Sequence, residues 1–491
     1  MANSRRRRTW GAAAALILGA IALGGLAGRG GSWVALVAVA LAAAGIVLTR
    51  SPYVGLLGVI FFLPLERIGA YESSIGTIRI SQVIALVTLV IWGLRVLLRP
   101  VPSEASTRPA AHNNLTRPHR ARRRPNPVVY PLAAFLAIGV LGLSRSPNLS
   151  YSVVTLLLTA FTIGVGMLVP QLITTRRQLT AAVKVLLVSA VLVSLFGLFQ
   201  FLGDMAGLPP TVTGLRDLYT KEVFGFPRVQ STAHEPLYFA NYLLLPLGLV
   251  YALILAKRSP VPPWILFGAF AIVAVNLVLT VSRGGYLGAG ALLLLMTVLA
   301  IRDVIKPRVL VPLAIGALVA GAIVLQALRF DDATGLNLET YTAHIQNVFF
   351  GASYNERVET FEQAKAALWL SPLIGIGPGS FGPLVAQTPF TKPVDGWRIV
   401  NNESLELLTE YGVLGALAML VAIVMLLLRT IKALARDRDP TSRYLLLGLL
   451  GSCIGILVQY QTFSTLYIMH VWVAVGLLIA AQQIALTNEM L

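Results

Sequence analysis

Two arginines in this sequence have the chemistry and the setting of ligands for an anionic substrate. Arg283 lies in the Ser-Arg-Gly-Gly segment 282–285, which interrupts two apolar runs, and Arg357 lies at the start of a segment with helical spacing. A guanidinium presents a planar fork of donors that matches phosphate oxygens. The competing interpretations are a turn with a snorkelling arginine and a solvated charge on a helix surface.

Three carboxylates share one face of a predicted helix that enters an apolar run. Glu403, Glu406 and Glu410 are three and four residues apart, a spacing that places them on one side of a helix. The helix dipole favours acidic residues in the first turn, which accounts for Glu403 and in part for Glu406, but not for Glu410. Packing alone does not explain this set, so the sequence predicts a functional role for it.

A loop before another apolar run combines a possible base with a further cation. Arg228 is followed by His234 and Glu235 in this loop. Histidine is the usual base near neutral pH, although a lone loop histidine often has no catalytic role. Three glycines and two prolines within 371–381 predict a tight turn that closes a lid or exposes N–H groups to an anion. No Gly-Lys-Ser/Thr sequence follows, so the turn is not a nucleotide phosphate loop.

The composition restricts the elements that can position these residues. Hydrophobic residue types make up 56% of the 491 residues and charged types 12%, half of the roughly 25% charged residues usual in soluble domains. An ordinary soluble protein and a disordered chain are therefore excluded. The net charge of +18 follows from the basic residues between apolar runs, which indicate membrane topology rather than nucleic-acid binding. The single cysteine, Cys453, excludes an intramolecular disulfide.

Hydropathy predicts an all-α integral membrane protein, a polytopic bundle of about 12–14 transmembrane helices with a large extracytoplasmic loop. Arg5–Arg8 and the alternation of basic loops predict cytoplasmic N- and C-termini. Within the large loop, Val358, Phe361, Lys365, Leu368 and Trp369 predict an amphipathic helix on the outer membrane surface. The predicted apolar runs are 10–28, 32–49, 52–65, 77–98, 128–144, 150–173, 178–202, 236–256, 263–281, 285–301, 308–328, 404–428, 443–461 and 465–487.

These runs predict five regions along the chain. Basic residues and low hydrophobicity in the second region predict a disordered cytoplasmic linker. The regions are N-terminal transmembrane helices at 1–98, the linker at 99–127, central transmembrane helices at 128–328, the extracytoplasmic loop at 329–403 and C-terminal transmembrane helices at 404–491.

The order of these motifs resembles the O-antigen ligase and O-antigen polymerase superfamily. The resemblance rests on SRGG at 282–285, NERVETFEQAKAALWLSPLIGIGPGSF at 355–381 and NNESLELLTEYGVLG at 401–415, and it covers roughly residues 230–430. It implies a metal-independent glycosyltransferase of the bacterial inner membrane that needs no cofactor. The implied partners are an undecaprenyl-pyrophosphate-linked glycan as donor, a glycan or lipid acceptor and the lipid bilayer, with no nucleic acid and with an extracytoplasmic active site.

The resemblance also suggests roles for individual residues. Arg283 and Arg357 match arginines thought to hold the donor pyrophosphate, while Asn401 replaces the histidine proposed in ligases to activate the acceptor. Asparagine cannot act as a base, so three possibilities stay open: another residue is the base, the arginines suffice, or the acceptor differs, as in polymerases. The predicted catalytic residues are Arg283, Arg357, Asn401, Glu403 and His234, and the predicted substrate-binding residues are Arg228, Glu235, Asn402, Gly377 and Gly379.

Asn401 and the HEPLYFANYL stretch at 234–243 favour polymerase over ligase. The alternative from another class is a lipid-linked oligosaccharide flippase or another polytopic transporter. A transporter predicts polar residues at mid-membrane depth and broken helices in paired halves, whereas the charged candidates here gather near predicted outer helix ends.

Overall fold

A computed structural model describes most of the chain between residues 51 and 487. The described residues are 39, 42–43, 45–46, 51–68, 70–72, 77–98, 126–221, 227–256, 259–307, 309–310, 352–386, 388–391, 393 and 396–487. Within them the regular secondary structure is α-helical, apart from two 3₁₀ turns (Leu143–Arg145 and Asp217–Tyr219) and a short antiparallel pair of strands, β1 (Tyr71–Glu72) and β2 (Thr77–Ile78).

The helices alternate with short connections along the chain. They are α1 (Pro52–Phe62), α2 (Ile80–Leu97), α3 (Val129–Gly142), α4 (Leu149–Leu172), α5 (Arg176–Met205), α6 (Pro210–Thr213), α7 (Pro236–Leu255), α8 (Pro263–Leu279), α9 (Arg283–Leu299), α10 (Ile301–Val304), α11 (Ala352–Leu368), α12 (Phe381–Val385), α13 (Glu403–Arg436), α14 (Pro440–Gln459) and α15 (Met469–Thr487).

The predicted all-α polytopic membrane class is confirmed. In the described segments, 7 helices are long and apolar enough to cross a membrane, and α1, α3, α8 and α9 are shorter apolar helices. Each predicted run from 52–65 to 285–301 and from 404–428 onward corresponds to one of these helices. The runs 10–28, 32–49 and 308–328, most of the linker 99–127 and the loop segment 329–351 lie wholly or largely outside the described residues.

Helix α7 forms the centre of the bundle. It is apolar on every side, and 89% of its most hydropathic window is buried, as expected for a helix surrounded by other helices. Small residues let its neighbours approach closely. At Gly248, for example, an added Cβ would lie 2.8 Å from the carbonyl oxygen of Gly448 in α14. This tight packing fixes the helix ends on which the candidate residues lie.

The connections form two separate groups at opposite ends of the bundle. At one end, the Arg67 N–H donates to Thr232 O (3.0 Å), and the Val229 N–H donates to Leu279 O (2.9 Å). At the other end, Arg176 forms a 3.0 Å ion pair with Asp437. The segments predicted to be extracytoplasmic share the first end, which we call the site end. That this end faces outward stays a prediction.

The amphipathic helix predicted in the large loop is present as α11, and one of its sides is buried against α13. Thr360, Ala364 and Ala367 are the buried residues, because small side chains allow α11 to pack closely against α13. Of the predicted stripe, Val358 is 42% exposed, and Trp369, just beyond the helix, is 78% exposed. The prediction that α11 lies on the membrane surface therefore concerns this exposed side.

Candidate active site

Helix α13 is broken at Gly412, and the turn 371–381 fills the break. Gly412 has φ 66° and ψ −175°, a conformation open mainly to glycine. A break leaves helix N–H and carbonyl groups without partners, which is costly at membrane depth. Here the turn supplies them: Ile376 and Gly377 donate to Thr409 O and Glu410 O (3.0 Å each), while Val413 and Leu414 donate to Pro372 O (2.8 Å) and Leu373 O (3.1 Å).

The side chain of Glu410 binds the second half of the same turn. Its Oε2 accepts a 2.7 Å hydrogen bond from the Gly379 N–H, and its Oε1 accepts one of 3.1 Å from the Phe381 N–H. The sequence predicted that this turn presents N–H groups to an anion. The anion found at Gly379 is the chain's own carboxylate, and the Gly377 N–H is bonded to the Glu410 carbonyl. Both glycines therefore shape the site through the backbone.

A cavity opens beside this junction and contains the three carboxylates of α13. The cavity is small, with a volume of about 50 Å³, and it opens to solvent. Its walls combine carboxylates, hydroxyls and aromatic rings, and the Tyr151 and Trp397 rings lie 5.8 Å apart. We call this cavity the carboxylate pocket; its principal residues are Tyr151, Trp397, Glu403, Glu406, Glu410, Ser464 and Tyr467.

Neighbouring loops hold two of these carboxylates in place. Glu403 Oε2 accepts a 2.9 Å hydrogen bond from the Thr465 N–H. Glu406 Oε2 accepts one of 2.9 Å from the Val400 N–H and one of 2.5 Å from the Ser464 hydroxyl. Buried charged groups are stable only when such donors replace water. The pocket is therefore rigid on the side formed by the α14–α15 connection.

Asn401 and Asn402 have local structural roles at the start of α13. Asn401 has φ 58°, in the left-handed region that asparagine and histidine adopt more readily than most residues. Its N–H donates to Ser464 Oγ at 3.2 Å. Asn402 is the N-cap, and its Oδ1 accepts a 2.9 Å hydrogen bond from the Leu405 N–H, a favourable cap. Their predicted roles toward substrate stay predictions.

A second region of the site end is rich in arginine. Five arginines lie on loops or helix starts at the site end. These segments are connected to one another by hydrogen bonds or by electrostatic interactions between their side chains. We call this region the arginine mouth; its arginines are Arg67, Arg79, Arg216, Arg228 and Arg283.

Arg228 and Arg283, both predicted from the sequence, lie close together in the arginine mouth. Arg228 donates to the carbonyls of Thr280 and Val281 (3.4 Å each), just before α9 begins at Arg283. Burial lowers the pKa of Arg228, and the positive charge of Arg283 lowers it further, against the opposing effects of Tyr219, Tyr286 and Glu235. Two guanidinium groups that repel each other form a site that favours an anion.

His234 and Glu235 lie beside these arginines. Burial lowers the pKa of His234, and the charges of Arg79 and Arg216 lower it further, while Glu66 and Glu235 raise it. The imidazole is therefore neutral at pH 7 and able to accept a proton. Glu235 directly precedes α7 and influences Arg228 electrostatically. The structure thus brings four predicted residues together: Arg228, His234, Glu235 and Arg283.

The arginine mouth and the carboxylate pocket meet at one point. Tyr238, in the first turn of α7, has its hydroxyl 3.3 Å from Thr465 Oγ1. The Thr465 N–H donates to Glu403. The path from Glu235 to Glu403 therefore runs from the mouth to the pocket along the first turn of α7 and through two hydrogen bonds. The two regions are neighbours at the site end.

Arg357 lies on α11, on the pocket side of the site end. It is half-buried, and its carbonyl accepts a 3.0 Å hydrogen bond from Thr360. The same Thr360 hydroxyl lies 3.4 Å from Val400 O, directly before Asn401. The predicted convergence of Arg357 with Arg283 around one diphosphate stays a prediction.

Sequence reasoning missed Arg67, Arg79 and Arg216 as members of the mouth. Arg67 donates to Gly214 O at 2.9 Å, and Arg216 donates to His234 O at 3.3 Å. A usable signal was present, because lysine and arginine are scarce in short translocated loops. Arginines in predicted outer loops are therefore exceptions that need a reason. Among the described residues, no group of three His, Cys, Asp or Glu side chains could hold a metal ion.

Comparison with known proteins relates one part of the chain to a described family. The sequence model of a family described as O-antigen ligase matches residues 267–420, and no curated protein matches the chain. The matched stretch runs from α8 into α13 and contains Arg283, Arg357 and the turn 371–381, together with Asn401 and Glu403. Residues 267–420 therefore match an O-antigen ligase domain.

Proposed function

We propose that this chain is a membrane glycosyltransferase that moves a glycan from undecaprenyl pyrophosphate to an acceptor hydroxyl at the outer face of the bacterial inner membrane. The observation that carries the proposal is the adjacency of an arginine-rich region and a carboxyl-rich region at one end of the bundle. The arginine mouth suits the diphosphate of the donor, and the carboxylate pocket suits a neutral sugar. The match of residues 267–420 to the O-antigen ligase family supports the same reaction class.

In this proposal Arg228 and Arg283 bind the donor diphosphate, and Arg357 approaches it from the loop side. Breaking the sugar–phosphate bond transfers negative charge to the leaving diphosphate. Fixed guanidinium groups stabilise that charge in a partly dry site without needing to reorganise. The donor already carries its leaving group, so the reaction as proposed uses no metal and no nucleotide.

The acceptor sugar is placed in the carboxylate pocket. Carboxylates and tyrosine hydroxyls accept hydrogen bonds from sugar hydroxyls, and the Tyr151–Trp397 pair offers aromatic surface to the apolar face of a sugar ring. Asn401 and Asn402 directly precede Glu403 at the start of α13 and position the acceptor. His234, Glu235 and Glu403 are the candidate bases. The neutral imidazole of His234 beside the mouth favours the first of these.

Two variants test the assignment directly. Arg283→Ala and Arg357→Ala each remove one positively charged guanidinium group. We expect each variant to be expressed normally and to transfer glycan about 10²–10³-fold more slowly. The matched control is Arg302→Ala, which removes an exposed arginine of α10 at the opposite end of the bundle. Near-normal transfer in both site variants would reject the proposed donor site.

A second arm of the assay separates polymerase from ligase. The purified protein is incubated with a lipid-linked repeat alone and then with an added acceptor lipid. Lengthening of the glycan with donor alone identifies a polymerase, which we favour because of Asn401. Product that forms only with the added lipid identifies a ligase.

The transporter alternative predicts polar residues deep in the bundle. One buried polar network of the described helices joins Asn241 to Gln459 (3.1 Å) and to His470 (2.7 Å), and it lies within two turns of the site end. Gln482 is buried deeper in the bundle, where its Nε2 donates to Thr430 Oγ1 at 2.7 Å. Buried polar contacts alone therefore do not separate the two functions, and the transfer assay does.

A further inference from the structure

The turn that follows α14 contacts the starts of three other helices at the site end. It comprises residues 459–462 and begins at Gln459, the last residue of α14. Its neighbours are the first turns of α7, α9 and α13. Helix α7 directly follows Glu235, α9 begins at Arg283 and α13 begins at Glu403. The turn 459–462 therefore lies between the arginine mouth and the carboxylate pocket.

On the pocket side, the turn is bonded to the start of α13. Tyr460 O accepts a 2.8 Å hydrogen bond from the Glu403 N–H. Gln461 O accepts one of 3.3 Å from Asn402 Nδ2, and Gln461 Oε1 accepts one of 3.3 Å from the Ser404 hydroxyl. Three successive residues at the start of α13 are thus bonded to two successive residues of the turn, which fixes the position of Glu403.

On the mouth side, α9 begins so close to the turn that only glycine fits. Gly284 directly follows Arg283, and a Cβ added at Gly284 would overlap Thr462 Oγ1. It would also lie 3.2 Å from Thr462 Cβ and 3.5 Å from Gln459 Cγ. Glycine permits this close approach because it has no side chain. The turn therefore fixes the position of Arg283 as well.

A buried polar network holds the turn against α7. Gln459 Nε2 donates to Leu237 O at 3.2 Å, and Gln459 Oε1 accepts a 3.1 Å hydrogen bond from Asn241 Nδ2. Asn241 Oδ1 lies 2.7 Å from His470 Nε2. The Thr462 N–H and hydroxyl both donate to Gln459 O (2.8 Å and 2.9 Å). Buried polar networks whose members are bonded make their surroundings rigid, so the turn is a fixed reference for both neighbouring sites.

The two proposed donor arginines are connected to each other, not only to the turn. Arg228 donates to the carbonyls of Thr280 and Val281 (3.4 Å each), three and two residues before Arg283. A shift of the start of α9 relative to α14 therefore moves both arginines together. Such a shift keeps the site for the diphosphate but changes its separation from Glu403.

We propose that the turn 459–462 is a positioning element that sets the separation between the donor diphosphate at Arg283 and the acceptor hydroxyl at Glu403. It acts through these two residues and touches neither substrate. The inference rests on the proposed function, which assigns Arg283 to the donor and Glu403 to the acceptor. Reacting groups must be held close together and aligned, and a misplacement of about 1 Å lowers the rate about 10²-fold.

The first test inserts one methyl group between α9 and the turn. We expect Gly284→Ala to lower kcat for glycan transfer about 10²-fold, while the Kd for farnesyl diphosphate and the KM for the acceptor change less than about threefold. The matched control is Gly290→Ala in the same helix, where an added Cβ would meet no described residue within 4 Å. This control is expected to keep wild-type kinetics, and a thermal melt establishes that each variant is folded.

A second substitution makes room for the added methyl group. Thr462→Ala removes the Oγ1 that the new Cβ would overlap, and the Thr462 N–H still bonds to Gln459 O. We expect Gly284→Ala/Thr462→Ala to recover at least about tenfold of the lost kcat. A general loss of stability would instead add up in the double variant.

Gln459→Leu tests the turn without changing α9, so it decides the question if Gly284→Ala does not accumulate. It is expected to lower kcat at least about tenfold with little change in the Kd for farnesyl diphosphate. The matched control is Gln482→Leu, which removes another buried glutamine, bonded to Thr430 at the opposite end of the bundle. We expect Gln482→Leu to lower the melting temperature by a similar amount and to keep kcat.

Several outcomes would overturn the inference. They are a wild-type kcat in Gly284→Ala or Gln459→Leu, an equal loss of kcat in Gln482→Leu, a loss that is confined to diphosphate affinity, and no recovery in the double variant. The proposed function fails separately: if Arg283→Ala transfers glycan normally, the donor site is wrong. If Arg283→Ala is inactive while Gly284→Ala keeps its kcat, only the positioning role is wrong.

Discussion

The arginine mouth and the carboxylate pocket lie side by side, but they are built in opposite ways. The mouth consists of guanidinium groups on loops and helix starts, partly exposed and repelling one another. The pocket consists of carboxylates on one helix, buried and bonded to backbone N–H groups. In the proposed function, this contrast lets a single site treat two parts of one substrate differently. The mouth binds the anionic part, while the pocket accepts a neutral, hydroxyl-rich group.

The largest expected effect concerns the backbone that builds the pocket. Gly375 has φ 75°, and an added Cβ would lie 2.2 Å from the backbone of Glu410. We expect Gly375→Ala to abolish accumulation of the folded protein, because the turn can no longer fill the break in α13.

The matched control is Gly396→Ala. Gly396 has φ 87°, but none of the residues that the structure describes lies within 4 Å of an added Cβ, so we expect a loss of only about 1–2 kcal/mol from backbone strain. Detergent-solubilised yield and thermal melting check both variants. Equal behaviour of the two would show that the junction does not determine the fold.

The next largest effect distinguishes the role of the acceptor pocket from that of the donor site. Glu403→Gln keeps an oxygen for the Thr465 N–H but removes the ionisable carboxyl group from the pocket. We expect transfer to fall by about 10²-fold if Glu403 acts as the base and by about tenfold through acceptor KM if it only positions the sugar. Binding of farnesyl diphosphate is expected to be unchanged. Glu359→Gln, at an exposed ion pair with Arg398, serves as the control. Weaker diphosphate binding in Glu403→Gln would remove the division between mouth and pocket.

The smallest effect is a shift in pH dependence. Because its pKa is lowered by burial, Arg79 and Arg216, His234 is expected to lose its proton below its ordinary pKa of about 6.5. Transfer should therefore fall on the acid side, with a midpoint below that value. Arg216→Gln removes one repelling charge, so the protonated form becomes less unfavourable and the midpoint moves up.

The pH–rate profiles of the wild type, Arg216→Gln and His234→Gln check this prediction. Persistence of the same acid limb in His234→Gln, or a downward shift of the midpoint in Arg216→Gln, would show that another group titrates.

The lowered pKa of His234 also determines how folding stability depends on pH. The folded state binds the His234 proton more weakly than the unfolded state does, so this contribution to stability is complete above about pH 6.5 and is lost as the pH falls.

Periodic features of this molecule could be predicted from the sequence, because they depend on local composition. Apolar runs determined the helices, and the spacing of Glu403, Glu406 and Glu410 placed them on one face, where the structure has them lining one cavity. The cluster of Arg228, His234, Glu235 and Arg283 at one end followed from the alternation of loops.

Long-range pairing could not be predicted in this way. Nothing local indicates that Glu410 binds the turn 371–381, since the two are joined only when α13 breaks at Gly412. Arg67 and Arg216 are 149 positions apart, and their shared volume depends on which loops meet. The side of α11 that packs against α13 could not be predicted for a related reason: close packing selects small side chains such as Ala364 and Ala367, not the most apolar ones.

The break at Gly412 also has a consequence for biogenesis. As α13 enters the bilayer, its unpaired backbone groups would each cost several kcal/mol in hydrocarbon. The turn that satisfies them precedes α13 along the chain and therefore leaves the ribosome first. The spanning segment can then be inserted together with its preceding loop as one preassembled unit, so that insertion of the helix and assembly of the catalytic end become a single event.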